Sequence, residues 1–240
     1  MKKEQCPKCA SIGKDRNQDN LAVYPDGSKY CFSCGYFVTS RNIEYRINPY
    51  TEIKNSTVLK LLPSDVTTNI PKTIQEYLLS MYITQKDIIY NFIHWSPSEE
   101  RICFPILVDG KYIGWQGRSL TRKPKWYSQG IDDKLIYLTN NTSSTVVLVE
   151  DIISAINVGK QSYSCCCLFG SNLTLSRMQA LSLIGKDKFI LWLDKDKESE
   201  SMKRAEELRY LGFNCYSLTT DKDPKYYSQE DILNLLTNYK

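Results

Sequence analysis

The sequence contains no run of apolar residues close to the roughly 18–20 that a membrane-spanning helix needs. The first residues, MKKEQCPKCA, are basic but lack the apolar stretch of a secretory signal. We therefore expect a cytoplasmic protein that has no membrane partner. Internal repeats and low-complexity tracts are also missing. The chain has no Gly-x-x-x-x-Gly-Lys-Ser/Thr loop, so we do not expect it to hydrolyse ATP as a motor.

Four of the nine cysteines form two C-x-x-C pairs that are separated by 21 residues: Cys6, Cys9, Cys31 and Cys34. This spacing lets four sulfurs converge on one tetrahedral zinc ion, whereas a disulfide pairing is disfavoured in a cytoplasm. Between the pairs, Leu21–Tyr24 and Lys29–Phe32 read as strands around a Pro-Asp-Gly turn. The pattern predicts a β zinc ribbon over residues 1–40. A zinc ion with a purely structural role fits the same spacing.

The other five cysteines lie in apolar segments of predicted strands, where they are expected to be small core residues. They are Cys103, Cys165, Cys166, Cys167 and Cys215.

The remaining chain divides into three parts. Residues 41–72 have weak periodicity and predict a linker, and residues 73–140 predict a small basic α+β subdomain. In residues 141–240, apolar strands alternate with helical patterns, which is typical of a parallel sheet with helices on both faces. The fold class is therefore an α/β domain preceded by the basic subdomain and the ribbon.

Acidic residues follow three of these strands directly: Glu150, then Asp194 and Asp196, then Asp221 and Asp223. Functional groups of parallel sheets gather beyond the carboxyl ends of the strands. Carboxylates packed together call for a cation, and in an extended segment Asp194 and Asp196 would face one side. The pattern predicts a Mg²⁺ or Mn²⁺ site, although acids in these places also cap helices.

Basic residues are concentrated before the α/β domain. Between residues 101 and 125 there are six of them against one acid, Asp109: Arg101, Lys111, Arg118, Arg122, Lys123 and Lys125. Aromatic side chains are interleaved with them, as in surfaces that bind single-stranded nucleic acid. A solvated basic face is the alternative interpretation.

The order of these motifs resembles the bacterial and phage DNA primases of the toprim class, and most of all the primase half of phage primase–helicase proteins. The motifs that carry the likeness are a Tyr-Cys-Phe-Ser-Cys-Gly knuckle, Arg101-Ile-Cys-Phe-Pro-Ile106, Gly114-Trp-Gln-Gly-Arg118, a Pro-Lys-Trp-Tyr run, Glu150, Asp194-Lys-Asp196 and Lys222-Asp223-Pro224. Residues 141–240 would then be the toprim domain, and 73–140 the basic part of an RNA polymerase core.

The resemblance implies metal-dependent synthesis of short RNA primers from ribonucleoside triphosphates on a single-stranded DNA template. It assigns catalysis to Glu150, Asp194, Asp196 and Asp223, with magnesium on the first three. Nucleic acid or nucleotide would be bound by Arg101, Arg118, Arg122, Lys123, Lys125 and Lys195. Tyr24, Asp26, Lys29, Tyr30 and Phe32 would read the template. A replicative helicase would act in trans, in the host cytoplasm if the gene is a phage one.

One position departs from the family pattern. Members of the class often carry an aspartate four residues after the glutamate, where this chain has Ser154. Asp151 is the nearest acid, and its position at the following helix suggests that its side chain points elsewhere. The departure keeps open a non-catalytic single-stranded DNA-binding adaptor. A toprim nuclease or topoisomerase fragment is a further alternative.

Overall fold

The computed structural model describes residues 2–23, 29–31, 33–34, 36–38, 46–47, 62–108, 111–131, 135–160 and 163–239. Three of the predicted template-reading residues, Tyr24, Asp26 and Phe32, lie outside this part of the chain. Within it, no helix has the length and apolar character to cross a membrane.

The N-terminal module is a small antiparallel sheet with one short helix. Its elements are β1 (Lys2–Glu4), α1 (Pro7–Ala10), β2 (Leu21–Val23), β3 (Lys29–Cys31) and β4 (Phe37–Val38), and the strand order is β1-β2-β3-β4. Leu21 pairs with Cys31 across the central hairpin, so the second cysteine pair begins on a strand. The two predicted strands of this hairpin are therefore confirmed.

A second antiparallel sheet follows two helices in the middle of the chain. The elements are α2 (Lys72–Ser80), α3 (Gln85–Tyr90), β6 (His94–Ser96), β7 (Arg101–Val108), β8 (Lys111–Arg118) and β9 (Trp126–Gln129), with the strands in chain order. A capping box begins α3, because Thr84 and Asp87 satisfy each other's backbone N–H groups. β7 and β8 pair antiparallel as neighbours in the chain.

The C-terminal part is an α/β sheet. Its strands are β10 (Leu135–Asn140), β11 (Thr145–Val149), β12 (Ser164–Cys167), β13 (Lys188–Leu191) and β14 (Asn214–Ser217), and its helices are α4 (Ile152–Val158), α5 (Leu175–Leu183), α6 (Glu198–Tyr210) and α7 (Gln229–Thr237). β11–β14 are parallel, as predicted. β10, which the sequence did not reveal, is antiparallel to β12. The order is β14-β13-β11-β12-β10-β5, where β5 (Arg46–Ile47) pairs with β10.

The two faces of this sheet bury alternate residues of each strand, because successive side chains point to opposite sides. Val147, Cys165 and Ile190 belong to a core shared with α2, α3, α4 and α7. Leu148 and Cys166 belong to a second core with α5 and α6. The central strands are covered on both sides, and this explains their continuous apolar sequence. The five cysteines outside the ribbon are buried and free, as expected.

Part of the predicted linker packs on the body of the protein. Leu62 and Ile70 are buried in two separate clusters, and the backbone of Thr67 pairs with that of Trp95. The carboxylate of Asp65 accepts hydrogen bonds from Ser96 and Ser98. Residues 62–70 are therefore continuous with the middle sheet.

Candidate functional site

The four predicted zinc ligands come together in the N-terminal module. The Cys6 and Cys34 sulfurs are 3.5 Å apart, the Cys9 and Cys31 sulfurs are 3.6 Å apart, and all four lie within 4.8 Å of one another. A tetrahedral zinc ion with Zn–S bonds of about 2.3 Å requires sulfurs about 3.8 Å apart. The cluster can bind one zinc ion.

The electrostatics of the cluster favour a cation. Burial, first of all, and then the neighbouring sulfurs together raise the pKa of Cys34 to about 12. Thiolates packed this closely repel one another, whereas a divalent ion stabilises them and lowers their pKa values. The Cys9 N–H donates to the Cys6 sulfur at 3.4 Å, which orients this ligand.

Asp15, for which the sequence pattern predicts no role, supports the cysteine cluster. Its carboxylate accepts from the Cys6 N–H at 2.6 Å and from the Asp19 N–H at 3.1 Å, and it is buried. A carboxylate that fixes a ligand's backbone in this way holds the site in its binding geometry. In the sequence, Asp15 is distinguished only as an acidic residue between the two cysteine pairs.

Two of the predicted template-reading residues are described, and both have partners. The Lys29 ammonium is 2.5 Å from the Glu4 carboxylate. The Tyr30 side chain is buried, and its hydroxyl donates to the carbonyl of Leu211, at the end of α6. The ribbon therefore contacts the C-terminal end of α6. Asp194 and Asp196 lie just before the first turn of this helix, at its other end.

Three loops at the carboxyl edge of the α/β sheet bring acids together. Glu150 directly follows β11, Asp194 follows β13, and Asp223 precedes a 3₁₀ turn at Pro224–Tyr226. The Glu150 carboxylate accepts from the Asp194 N–H at 3.1 Å, and the Asp223 carboxylate accepts from the Lys195 N–H at 3.1 Å. The loops are therefore joined to one another by their functional residues.

Lys225, for which the sequence pattern predicts no role, lies at the centre of this group. Its ammonium is 2.9 Å from a carboxylate oxygen of Asp151 and 3.0 Å from oxygens of Asp194 and Asp223. The side chain is buried. Although burial lowers the pKa of the Lys225 ammonium, the adjacent carboxylates of Asp151 and Asp194 raise it above its usual value.

The expectation that Asp151 points away from the site was wrong. Asp151 is the N-cap of α4, and one of its oxygens accepts from the Ser154 N–H at 2.9 Å. The other oxygen binds Lys225. An N-cap residue precedes the helix proper and has extended backbone, so its side chain does not follow the helix faces.

Asp194 and Asp196 do not lie on one extended segment as the sequence suggested. The chain turns into a 3₁₀ helix over Lys195–Lys197 directly after Asp194, which breaks the alternation that the prediction assumed. Asp196 is exposed, yet its charge helps to raise the pKa of Glu150. Asp221 accepts a hydrogen bond from the Tyr227 hydroxyl and does not join the group.

Burial makes ionisation of two of these acids costly. It raises the pKa of Glu150 to about 7, with a further contribution from the charges of Asp194 and Asp196. It also raises the pKa of Asp194 to about 6, against the opposing effect of Lys225. Burial acts on the pKa of Asp223 in the same direction, but the Lys195 N–H and Lys225 lower it below its ordinary value.

The acids suit one hard divalent ion. The Oδ1 atom of Asp194 is buried and has no hydrogen-bond partner in the described part of the chain, and Glu150 lies beside it. Mg²⁺ is commonly held by one or two carboxylates and several waters. Within the described ranges, however, only the four cysteines form a cluster of three or more ligand side chains close enough to hold a metal.

Two of the predicted nucleic-acid contacts are buried. The Arg101 guanidinium donates to the Pro124 carbonyl at 2.9 Å, and the Arg118 Nε donates to the Tyr77 hydroxyl at 3.2 Å. Arg118 also lies over the Trp126 ring, 4.8 Å from its centre. A Cβ at Gly117 would lie 2.5 Å from the Trp115 ring and 3.0 Å from the Arg101 side chain, so a larger residue there would displace one of them. These arginines hold the basic loop of residues 119–125 in place.

The other predicted basic contacts are exposed. Arg122 forms an ion pair with Glu100 at 3.2 Å, while Lys123, Lys125 and Lys195 project into solvent. The positive charge of Lys125 contributes to the lowered pKa of Asp223.

Comparison with known proteins gives matches in solved structures alone: family models and curated protein sequences yield none. The zinc-binding and RNA polymerase domains of the Aquifex aeolicus primase match with a TM-score of 0.55 and 15% identity, over 98% of this chain and 77% of that chain.

Two further structures match a shorter part of the chain. The DnaG primase catalytic domain bound to single-stranded DNA has a TM-score of 0.55 and 16% identity, over 72% of this chain and 75% of that one. The RNA polymerase domain of Mycobacterium tuberculosis DnaG in complex with double-stranded DNA has a TM-score of 0.51 and 12% identity, over 69% and 73%. At these identities the likeness is one of fold: the chain has the fold of bacterial DnaG-type primase domains.

The cysteine cluster predicts one zinc ion per chain. We expect Cys9→Ala to reduce the zinc content from one ion to well below one, because three thiolates no longer complete the tetrahedron. Atomic absorption on the purified protein measures this. Cys166→Ala, in the core of the α/β sheet, is the matched control and should keep one zinc ion; equal losses in both variants would contradict the assignment.

The raised pKa of Glu150 predicts a pH-dependent stability in protein free of Mg²⁺ and Mn²⁺. Between about pH 4.5 and pH 7 the folded state holds a proton that the unfolded state releases, so stability falls as the pH rises through this window. Glu150→Gln removes this loss. The melting temperature of the variant should rise relative to the wild type between pH 4.5 and 8, and a constant difference would contradict the shift.

Proposed function

We propose that this chain is a DNA primase of the zinc-ribbon and toprim type, which synthesises short RNA primers on single-stranded DNA. The observation that carries the proposal is the convergence of Glu150, Asp194 and Asp223 at one edge of the sheet, within a fold that matches primase domains over 98% of the chain. The reaction is nucleotidyl transfer between ribonucleoside triphosphates.

In the proposed reaction the 3′-oxygen of one nucleotide forms a bond to the α-phosphorus of the next. Its proton leaves to solvent, and the bond to pyrophosphate breaks. Glu150, Asp194 and Asp196 would hold Mg²⁺ or Mn²⁺, which supplies positive charge to the triphosphate and the leaving pyrophosphate. Asp223 fixes the loop of Lys195 through its backbone N–H. Lys123, Lys125, Lys195 and Arg122, whose side chains are exposed, would bind phosphates.

We assign Arg101 and Arg118 to positioning, because their guanidinium groups are satisfied inside the protein. The proposed division of the chain is a ribbon at 1–40, a linker at 41–72 whose residues 62–70 pack against the middle sheet, a basic part at 73–140 and a toprim domain at 141–240. The pairing of β10 with β12 joins residues on both sides of the last boundary.

Template reading by the ribbon and action with a replicative helicase in trans belong to the same proposal, as does a cytoplasmic location. Lys29, Tyr24, Asp26 and Phe32 remain the proposed reading residues. Tyr30 becomes available only if its contact with Leu211 is broken. The specific likeness to phage primase–helicases rests on the sequence motifs, and a phage origin rests on it in turn.

Primer synthesis tests the proposal directly. With single-stranded template, the four ribonucleoside triphosphates and Mg²⁺, wild-type protein should produce short oligoribonucleotides. Asp194→Asn should reduce their yield by about 10²–10³-fold, since the loss of one preorganised charge-stabilising group has an effect of this size. Asp187→Asn, an exposed aspartate at the opposite end of β13, should retain activity.

A circular dichroism melt of each variant separates loss of activity from loss of folding. The absence of product from folded wild-type protein, with a replicative helicase supplied as well, would overturn the assignment. So would equal activity of the wild type and folded Asp194→Asn.

The basic loop predicts a salt-dependent contact with the template. Each phosphate contact to a single strand contributes a slope of about −0.7 in log K against log salt. We expect Lys125→Ala to reduce the slope for single-stranded DNA by about 0.7, as measured by fluorescence anisotropy. Lys203→Ala, an exposed lysine on the far helix α6, is the control. An unchanged slope for Lys125→Ala would exclude this loop from the binding surface.

A non-catalytic single-stranded DNA-binding adaptor is the second candidate. The ion pairs of Lys225 favour it, because three of the acids have a positive partner without a metal. An adaptor binds DNA in the absence of divalent ions and is indifferent to Glu150→Gln. The primer assay decides between the two functions.

A further inference from the structure

Lys225 uses its full hydrogen-bonding capacity inside the acidic group. A lysine ammonium has three N–H donors and no acceptor. Its three carboxylate partners, Asp151, Asp194 and Asp223, lie at 2.9–3.0 Å and come from three separate loops. The residue is only 7% exposed, so water does not compete effectively for these contacts.

The backbone holds this ammonium in place. Lys225 lies in the 3₁₀ turn at Pro224–Tyr226, directly after Pro224, whose ring fixes one backbone angle. The turn itself is anchored, because the Asn157 side-chain amide on α4 donates to the Tyr227 carbonyl at 2.9 Å. Lys225 is thus a fixed point charge, unlike the exposed Lys195 and Lys125 that we propose as phosphate contacts.

The position of the ammonium divides the acids into two groups. On one side, Asp151, Asp223 and the Oδ2 atom of Asp194 surround Lys225. On the other side, Glu150 lies beside the Asp194 backbone, and the Oδ1 atom of Asp194 is buried without a partner among the described residues. These four carboxylates would otherwise require more than one divalent ion for charge balance.

We propose that the Lys225 ammonium takes the place of one divalent cation in this site, so that the site binds a single Mg²⁺ or Mn²⁺ ion on its Glu150 side. The inference deepens the proposed function and rests on it, since it specifies the metal content of the same site. The Lys225 ammonium supplies positive charge but has no coordination shell whose ligands can exchange. Asp151, Asp194 and Asp223 therefore stay paired with it at all metal concentrations.

The number of bound ions tests this inference without an activity assay. The full chain, loaded with zinc, is titrated with Mn²⁺ at pH 8, and the free ion is measured by electron paramagnetic resonance. Zinc stays with its thiolates, because Mn²⁺ prefers oxygen ligands and binds more weakly. We expect one Mn²⁺ per wild-type chain and two per chain of Lys225→Gln, in which three carboxylates lose their cation.

Two control variants make the result specific. Lys225→Arg keeps the positive charge and should still bind one ion, and Lys222→Gln, which removes an exposed neighbouring lysine, should do the same. Two ions in the wild type would overturn the inference, as would none. A single ion in folded Lys225→Gln would overturn it too. If that variant fails to fold, the wild-type count still decides.

The outcome is separable from that of the proposed function. Two Mn²⁺ ions in a wild-type protein that makes primers would reject the role of Lys225 and leave the primase assignment intact. If the count rises from one Mn²⁺ ion in the wild type to two in Lys225→Gln, but the wild type makes no primers, the role of Lys225 is supported in a site with another activity.

Discussion

The parallel pairing of β11 with β12 and β13 is the constraint on which the rest of the C-terminal part depends. Val149 pairs with Cys167 and Leu148 with Leu191, so the three strands end at nearly the same level. Both faces of these strands are buried, and charged groups can appear only where the strands end. The acids of the site are therefore forced together at one edge, although up to 73 residues separate them in the chain.

This crowding has an electrostatic cost, and the protein compensates for it locally. Glu150 and Asp194 are harder to ionise than free carboxylates because they are partly buried, whereas the pKa of Asp223 is lowered by its hydrogen bonds and by Lys225. The cysteine cluster has the same problem in another form: four close sulfurs resist becoming thiolates without a cation. Both sites are thus arrangements of like charge that a positive group completes.

Local patterns predicted much of the fold correctly. Continuous apolar segments identified the parallel strands β11–β14. Several strands were missed, and two of them show the physical reason. β10 joins the sheet antiparallel, a choice made by its pairing with β12 and not by its own sequence. β9 is short and largely exposed, so it lacks the alternation that reveals a half-buried strand.

The sequence by itself determined the cysteine cluster and the strand-end positions of the acids, because ligand spacing and the apolar strands are local properties of the chain. Only the tertiary structure decided the roles of Lys225, Asp151 and Asp15, and the inward orientation of Arg101 and Arg118. Lys225 meets Asp151 across 74 residues. A lysine reads as a solvated surface residue until the fold surrounds it with carboxylates, and that burial depends on three loops meeting at one edge of the sheet.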